Sequence, residues 1–202
     1  MDEILQEIKK FADGRIWMTK KTRMESEARL KKNHNISNII INYYTFAVMA
    51  FSIWSLVLDT ESAIAKYVTL MTVISSVGLF GVTLLISSLG YRERALQYKE
   101  SYLKLDNLES EFQHLLRSAY RMSKEDVIDQ FHILEKKYFE ILALSDNHEQ
   151  IDIKKLMIDR EIQGYHLHVN SYNNYTRIRS FTLFALFAIP IILVIVLIII
   201  QS

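Results

Sequence analysis

Two long apolar runs without a charged side chain dominate the pattern of hydrophobic and polar positions along this chain. The first run covers 38–58 and the second covers 67–89, with only 59–66 between them. A helix of about 20 apolar residues crosses a hydrocarbon core of about 30 Å. We therefore predict a transmembrane helical hairpin over 36–90.

A third charge-free run covers 181–200, close to the end of the sequence. It predicts one more transmembrane helix in a C-terminal segment, 181–202. Pro190 lies near the middle of this run, where a proline frees a backbone carbonyl and can kink the helix.

The rest of the chain is polar and also has helical periodicity. The segment 1–35 predicts amphipathic and basic lead helices, with Gly14 as a candidate break. The segment 91–180 predicts a cytoplasmic helical region, in which Ser123 is placed to cap a helix with Asp126 three residues on. Only five Gly and one Pro occur in the sequence, which favours helix throughout. The predicted class is an all-α membrane protein, with a cytoplasmic helical bundle between the hairpin and the third transmembrane helix.

The helix after Ser123 carries a regular apolar seam. Its members are Val127, Phe131, Leu134 and Tyr138. Such a seam packs against another helix, either within the chain or on a partner, and the spacing leaves both open.

Basic residues indicate how the spans are oriented. Lys and Arg crowd the segment before the first span and flank the 91–180 region at both ends, whereas the tail after the third span has none. The positive-inside rule then predicts that the N-terminus and 91–180 face the cytoplasm. The hairpin turn and the C-terminus would lie outside.

Several small or polar residues interrupt the apolar spans. Asn42, in the first span, suits an anchor near the boundary, a contact between helices or a wet pathway. The second span allows packing within the hairpin, a subunit interface or a pore lining. Its candidate residues are Thr72, Ser75, Ser76, Gly78 and Gly81.

The balance of charge and the motifs argue against several classes of function. Lys and Arg total 24 against 23 Asp and Glu, which does not indicate a nucleic-acid surface. His148 and Asp152 are four apart and could share a helix face, but no nucleophile or glycine-rich loop accompanies them, so a structural turn with a satisfied His is the favoured interpretation. We expect no catalytic residues, no cofactor and no metal site.

Four stretches give the chain a resemblance to a known family. They read RIWMTKKTRMESEARLKK, YYTFAVMAFSIW, YFEILALSDNHEQID and YNNYTRIR. With the paired spans, they resemble the SLATT family, the SMODS and SLOG-associating two-transmembrane effectors. The motif residues are Arg23, Arg29, Asn147, His148 and Asp152. The third span departs from the two-span name of the family.

The resemblance implies a membrane effector of a bacterial anti-phage or conflict system. Such a protein would form an oligomeric pore or disrupt the inner membrane when triggered, and would arrest or kill the cell. The implied partners are a genomically linked nucleotidyltransferase or reverse transcriptase and a nucleotide second messenger. Because three helices cannot enclose a channel, a pore in the lipid bilayer requires a homo-oligomer. The alternative function is a non-conducting anchor or scaffold that positions a cytoplasmic partner through the helical bundle.

Overall fold

The computed structural model describes residues 1–57, 63–143 and 146–201, and every regular element in them is helical. The α-helices are α1 (Asp2–Lys10), α2 (Trp17–Val57), α3 (Ala63–Ser88), α4 (Tyr91–Ser118), α5 (Lys124–Leu142), α6 (Gln150–Asp159) and α7 (His166–Gln201). A π-helical turn, Phe11–Ile16, joins α1 to α2, and a 3₁₀ turn, Ala119–Arg121, follows α4.

The chain divides into two compact units. The first consists of Met1–Lys31 and Arg92–Tyr172, and we call it the polar unit. The second consists of Lys32–Tyr91 and Asn173–Ser202, and we call it the apolar unit. Both α2 and α7 have residues in each unit.

The apolar unit contains the membrane-spanning parts of the chain. Among the described residues, three helices are long and apolar enough to cross a bilayer, and at most 6% of the most apolar window of each is buried. Apolar surface this exposed is stable only in lipid, so the chain is an all-α membrane protein. The sequence predicts that 59–66 links the first two spans. The start of this link, at Asp59, lies outside the described residues. Lys66, at its end, lies inside α3 rather than in a turn.

A glycine turn ends α3. Gly90 has a φ of 56°, in the left-handed region that glycine adopts without a steric penalty. Its N–H donates to the Ser87 carbonyl at 3.2 Å, which closes the helix before α4 begins at Tyr91.

The core of the polar unit forms where α1, the π-helical turn, α4 and α5 meet. Half-buried Phe11 packs against this core, with ring centroids 5.6 Å from Phe112, 5.7 Å from Phe131 and 5.3 Å from Tyr138. Each large side chain buried in this way contributes about 1.5–3 kcal/mol. The core residues are Ile8, Ala12, Ile16, Leu105, Leu108, Phe112, Leu115, Ala119, Val127, Phe131, Leu134 and Tyr138.

The predicted apolar seam belongs to this core. Val127, Phe131, Leu134 and Tyr138 each expose 8% or less of their surface. The seam therefore packs within the chain. Its side chains fill the space between α5 and its neighbours.

Gly14 does not break the N-terminal helix. The chain passes through it in the π-helical turn, and an added Cβ there would meet nothing within 4 Å. Because a π-helical turn holds more residues than an α-helical one, residues at four-residue spacing stay on the same face of the helix through this turn. Ile8, Ala12 and Ile16 consequently all face the core with no exposed surface.

The predicted cap of α5 is present. The Ser123 hydroxyl accepts a hydrogen bond from the Asp126 N–H at 3.1 Å. It satisfies one of the unpaired donors at the start of the helix.

Candidate functional site

Three polar side chains of α2 lie side by side in the polar unit. Arg23, Ser26 and Arg29 recur at three-residue spacing, which places them on neighbouring positions of one helix surface. Arg23 is 3% exposed and Ser26 is fully buried. A buried guanidinium is stable only when it is paired, so the partners of these residues define the site.

Asp152, in the first turn of α6, is the main partner. It is 2% exposed, and its Oδ1 accepts a hydrogen bond from Arg29 Nε at 2.7 Å. Its Oδ2 accepts from Arg29 Nη2 at 3.1 Å and from Ser26 Oγ at 2.8 Å. Arg29 Nη2 also lies 2.9 Å from a carboxylate oxygen of Glu149. Both oxygens of Asp152 are thus engaged, which suits a link between helices better than a general base.

Arg23 closes the other end of the site. Its Nη1 and Nη2 donate to the carbonyls of Ile141 and Leu142, each at 3.2 Å, and Nη1 also donates to the Ser101 hydroxyl. These carbonyls end α5, where a cation is favourable and otherwise unpaired acceptors need donors. Arg23 Nε is buried without a partner in the described part of the chain.

Asn147 and His148 lie in the segment between α5 and α6. The backbone carbonyl of Asn147 accepts from the Tyr98 hydroxyl at 3.0 Å, and Tyr98 is 1% exposed. His148 precedes α6, so it does not share a helix with Asp152, which agrees with the structural turn favoured from the sequence.

The environment of His148 disfavours its charged form. Burial first, and the positive charge of Arg23 second, lower the pKa of His148, and Asp152 opposes this shift. Since the unfolded chain then binds the proton more readily, this group removes stability as the pH falls below the reference value of 6.5.

The structure thus brings the five motif residues together around buried Arg23 and Asp152, with Arg29 and His148 half-buried and Asn147 exposed, and we call this group the carboxylate cluster. It consists of Arg23, Arg29, Asn147, His148 and Asp152, with Ser26, Tyr98, Ser101 and Glu149 as their partners. The cluster joins α2 to α4, α5 and α6 within the polar unit. Sequence reasoning missed the partners, although Ser26 stands midway between two arginines at helical spacing.

The small and polar residues predicted in the spans lie in different environments. Thr72 and Ser75 line a cavity of about 290 Å³ together with side chains of α2 and α7. Ser76 and Asn42 are exposed. An added Cβ at Gly78 or Gly81 would meet nothing within 4 Å, so these two glycines do not serve close packing against the residues that the structure describes.

A tyrosine pair on α2 contacts the interrupted backbone of α7. Pro190 has no N–H, so the Leu186 carbonyl four residues earlier loses its helical donor. The Tyr44 hydroxyl donates to that carbonyl at 2.8 Å. Tyr43 donates to the adjacent Phe187 carbonyl at 3.0 Å. Both hydroxyls therefore link α2 to α7.

We expect Tyr44→Phe to destabilise the apolar unit by about 1 kcal/mol, because it leaves the Leu186 carbonyl unpaired in lipid. In a Pro190→Ala background the restored N–H can bond that carbonyl, so the same substitution should cost less. Unfolding in lipid–detergent micelles, followed by Trp54 fluorescence in a Trp17→Phe background, measures this double-mutant cycle.

Tyr43→Phe is the matched control. The Phe187 carbonyl has the N–H of Ile191 as its regular helical donor, so its loss should not couple to Pro190→Ala. Equal coupling for both tyrosines would contradict the assignment of Tyr44 to the carbonyl that proline frees.

Comparison with known proteins gives one family match. The model of the family described as SMODS and SLOG-associating 2TM effector domain family 5 matches residues 5–201. No curated protein and no solved structure matches the chain.

Proposed function

Since the chain belongs to the SMODS and SLOG-associating 2TM effector domain family 5, we propose that it is a conflict-system effector that opens a homo-oligomeric pore in the bacterial inner membrane. The basic flanks of the spans support an orientation with the polar unit in the cytoplasm. The name of the family supports a partner of the SMODS or SLOG type, with a nucleotidyltransferase or reverse transcriptase and a nucleotide signal as the specific candidates.

A line of hydroxyl groups on α3, which we call the hydroxyl stripe, is the observation that carries this proposal. At 3.6 residues per turn its members fall within an arc of about 60°. They extend over about 27 Å, close to the thickness of the hydrocarbon core. The members are Thr69, Thr72, Ser76, Thr83 and Ser87.

The position of the hydroxyl stripe suits assembly of several copies. Thr69, Ser76 and Ser87 are exposed, whereas Thr72 and Thr83 are half-buried at the edge of the packed face. In a single chain the exposed hydroxyls gain nothing from lipid. In a ring of copies they would form a polar wall along a channel, and three helices of one chain cannot enclose such a channel.

The stripe also allows a quiet state before assembly. The hydroxyls of Thr72, Ser76 and Thr83 each donate at 2.8 Å to the carbonyl four residues earlier in α3. These bonds satisfy the donors within the helix, so a protomer can reside in the bilayer without an unpaired donor at these positions. An activating signal would then need to change only how the copies pack.

The absence of cysteine from the sequence makes this proposal testable by chemical labelling. We expect the full chain, reconstituted at rising protein-to-lipid ratio, to release carboxyfluorescein from vesicles. A charged, water-soluble methanethiosulfonate should block the release for Ser76→Cys and Thr83→Cys, because these positions would face the water of the pore. Release is followed by fluorescence dequenching.

Val77→Cys is the matched control, since Val77 adjoins Ser76 but lies outside the stripe and is 68% exposed. The reagent should leave its release unchanged. Equal block at Val77, or no release at any protein-to-lipid ratio, would contradict a pore lined by the hydroxyl stripe.

A further inference from the structure

A cleft opens in the apolar unit at the level where α2 and α7 change from polar to apolar sequence. It has a volume of about 340 Å³. Its polar lining consists of Asn33, Ser37, Tyr91, Tyr175 and Arg179. We call it the interfacial cleft.

The cleft also has an apolar wall on the membrane side. Ile40 and Leu183 belong to its lining and lie one to two turns further into the charge-free runs of α2 and α7. Since a helix advances 1.5 Å per residue, the polar groups precede the apolar wall along both helices. Ile36 and Ile178 stand among the polar residues, and the lining becomes wholly apolar at Ile40 and Leu183, the end that suits the acyl chains of a lipid.

Arg179 is the charged side chain in the lining of the cleft. It is half-buried, and its Nη2 donates to Asn33 Oδ1 at 2.7 Å, a neutral acceptor. The described residues of the apolar unit include no Asp or Glu. A guanidinium has five N–H donors, so Arg179 keeps several for an anionic group.

We infer that the interfacial cleft binds the headgroup of an anionic glycerophospholipid, with its phosphate on Arg179 and its acyl chains along the apolar wall. Guanidinium and phosphate form paired, charge-assisted hydrogen bonds. The hydroxyls of Tyr91 and Tyr175 suit the headgroup level, where tyrosines are favoured. Lys32 and Arg177 add positive charge to the same unit, which favours an anionic over a zwitterionic lipid.

The cleft volume agrees with this occupant. A site of about 340 Å³ accommodates a glycerophosphate headgroup but not two acyl chains, which would remain on the lipid-facing surface. The membrane itself supplies this ligand at the depth of the cleft. The inference requires only that α2 and α7 span a bilayer, and it does not depend on pore formation.

Native mass spectrometry of the detergent-solubilised full chain tests the site. Titration with dioleoyl phosphatidylglycerol should give a one-lipid adduct that is retained more strongly than the adduct with dioleoyl phosphatidylcholine. Arg179→Gln should weaken the phosphatidylglycerol adduct about fivefold, the effect of about 1 kcal/mol expected for one cationic side chain at a membrane surface.

Arg177→Gln is the matched control. Arg177 lies two positions before Arg179 and is exposed, so the variant removes the same charge outside the cleft. It should change adduct retention by less than about twofold. Equal losses for both variants would overturn the site in favour of general attraction to basic residues, as would equal retention of the two lipids.

Asn33→Ala separates lipid binding from a structural role of Arg179. It removes the hydrogen bond to Asn33 but keeps the charge, so the phosphatidylglycerol adduct should persist. Loss of the adduct in Asn33→Ala would overturn the inference, since Arg179 would then only hold α2 to α7. Displacement of the lipid by inorganic phosphate alone would also overturn it, because the site would bind the free anion.

Discussion

Replacing Leu134 by Asp should unfold the polar unit. Leu134 is 5% exposed and belongs to the core that α5 shares with α1 and α4. The substitution removes about 2–5 kcal/mol of apolar packing and buries a carboxyl group with no partner. We expect a total loss of more than about 5 kcal/mol, comparable to the whole stability of a typical domain. Urea unfolding followed by Trp17 fluorescence in a Trp54→Phe background measures it.

Ile133→Asp provides the comparison, since Ile133 is the preceding residue on α5 and is 50% exposed. Its cost should stay within about 0.5 kcal/mol. A folded polar unit in Leu134→Asp, together with loss of a bound partner, would show instead that the apolar seam is a docking surface. It would then favour the scaffold function over the effector.

Asp152→Ala should destabilise the polar unit by about 3 kcal/mol, because it leaves Arg29 in the carboxylate cluster without its buried counter-charge. The value lies at the low end for a broken buried ion pair, since Glu149 remains 2.9 Å from Arg29. The Ser26 hydroxyl also loses its acceptor. The same urea unfolding measures the change.

Asp159→Ala tests whether the effect is specific to the cluster. Asp159 ends the same helix and is exposed, so its loss should cost less than about 0.5 kcal/mol. If Asp152→Ala unfolded at the same urea concentration as Asp159→Ala, the carboxylate cluster would not be a major link between α2 and α6.

The features predicted well from the sequence depend on local pattern. The three charge-free runs indicate spans because lipid excludes charge whatever the rest of the fold does. Ser123 was recognisable as a cap because its partner, Asp126, is three residues away. The class of the fold followed from the same helical periodicity.

The features that escaped prediction depend on contacts between residues far apart in the sequence. Nothing near Tyr44 shows that its hydroxyl donates to Leu186, which is 142 positions away. Likewise, the partner of Asp152 lies on α2, 123 positions away, rather than on its own helix. The resemblance to a family identified Arg23 and Arg29 as motif residues, and only the structure showed which residues they contact.

The core of the polar unit also has a consequence for synthesis. Thr19 and Tyr138, whose hydroxyls lie 2.9 Å apart, are separated by 119 positions. At about 5–20 residues per second, a ribosome needs roughly 6–24 s to make the chain between them. The first two spans emerge during that interval. The N-terminal segment therefore lacks its partners on α4 and α5 while the hairpin enters the bilayer. Nascent chains released within that window would expose an amphipathic helix to chaperones.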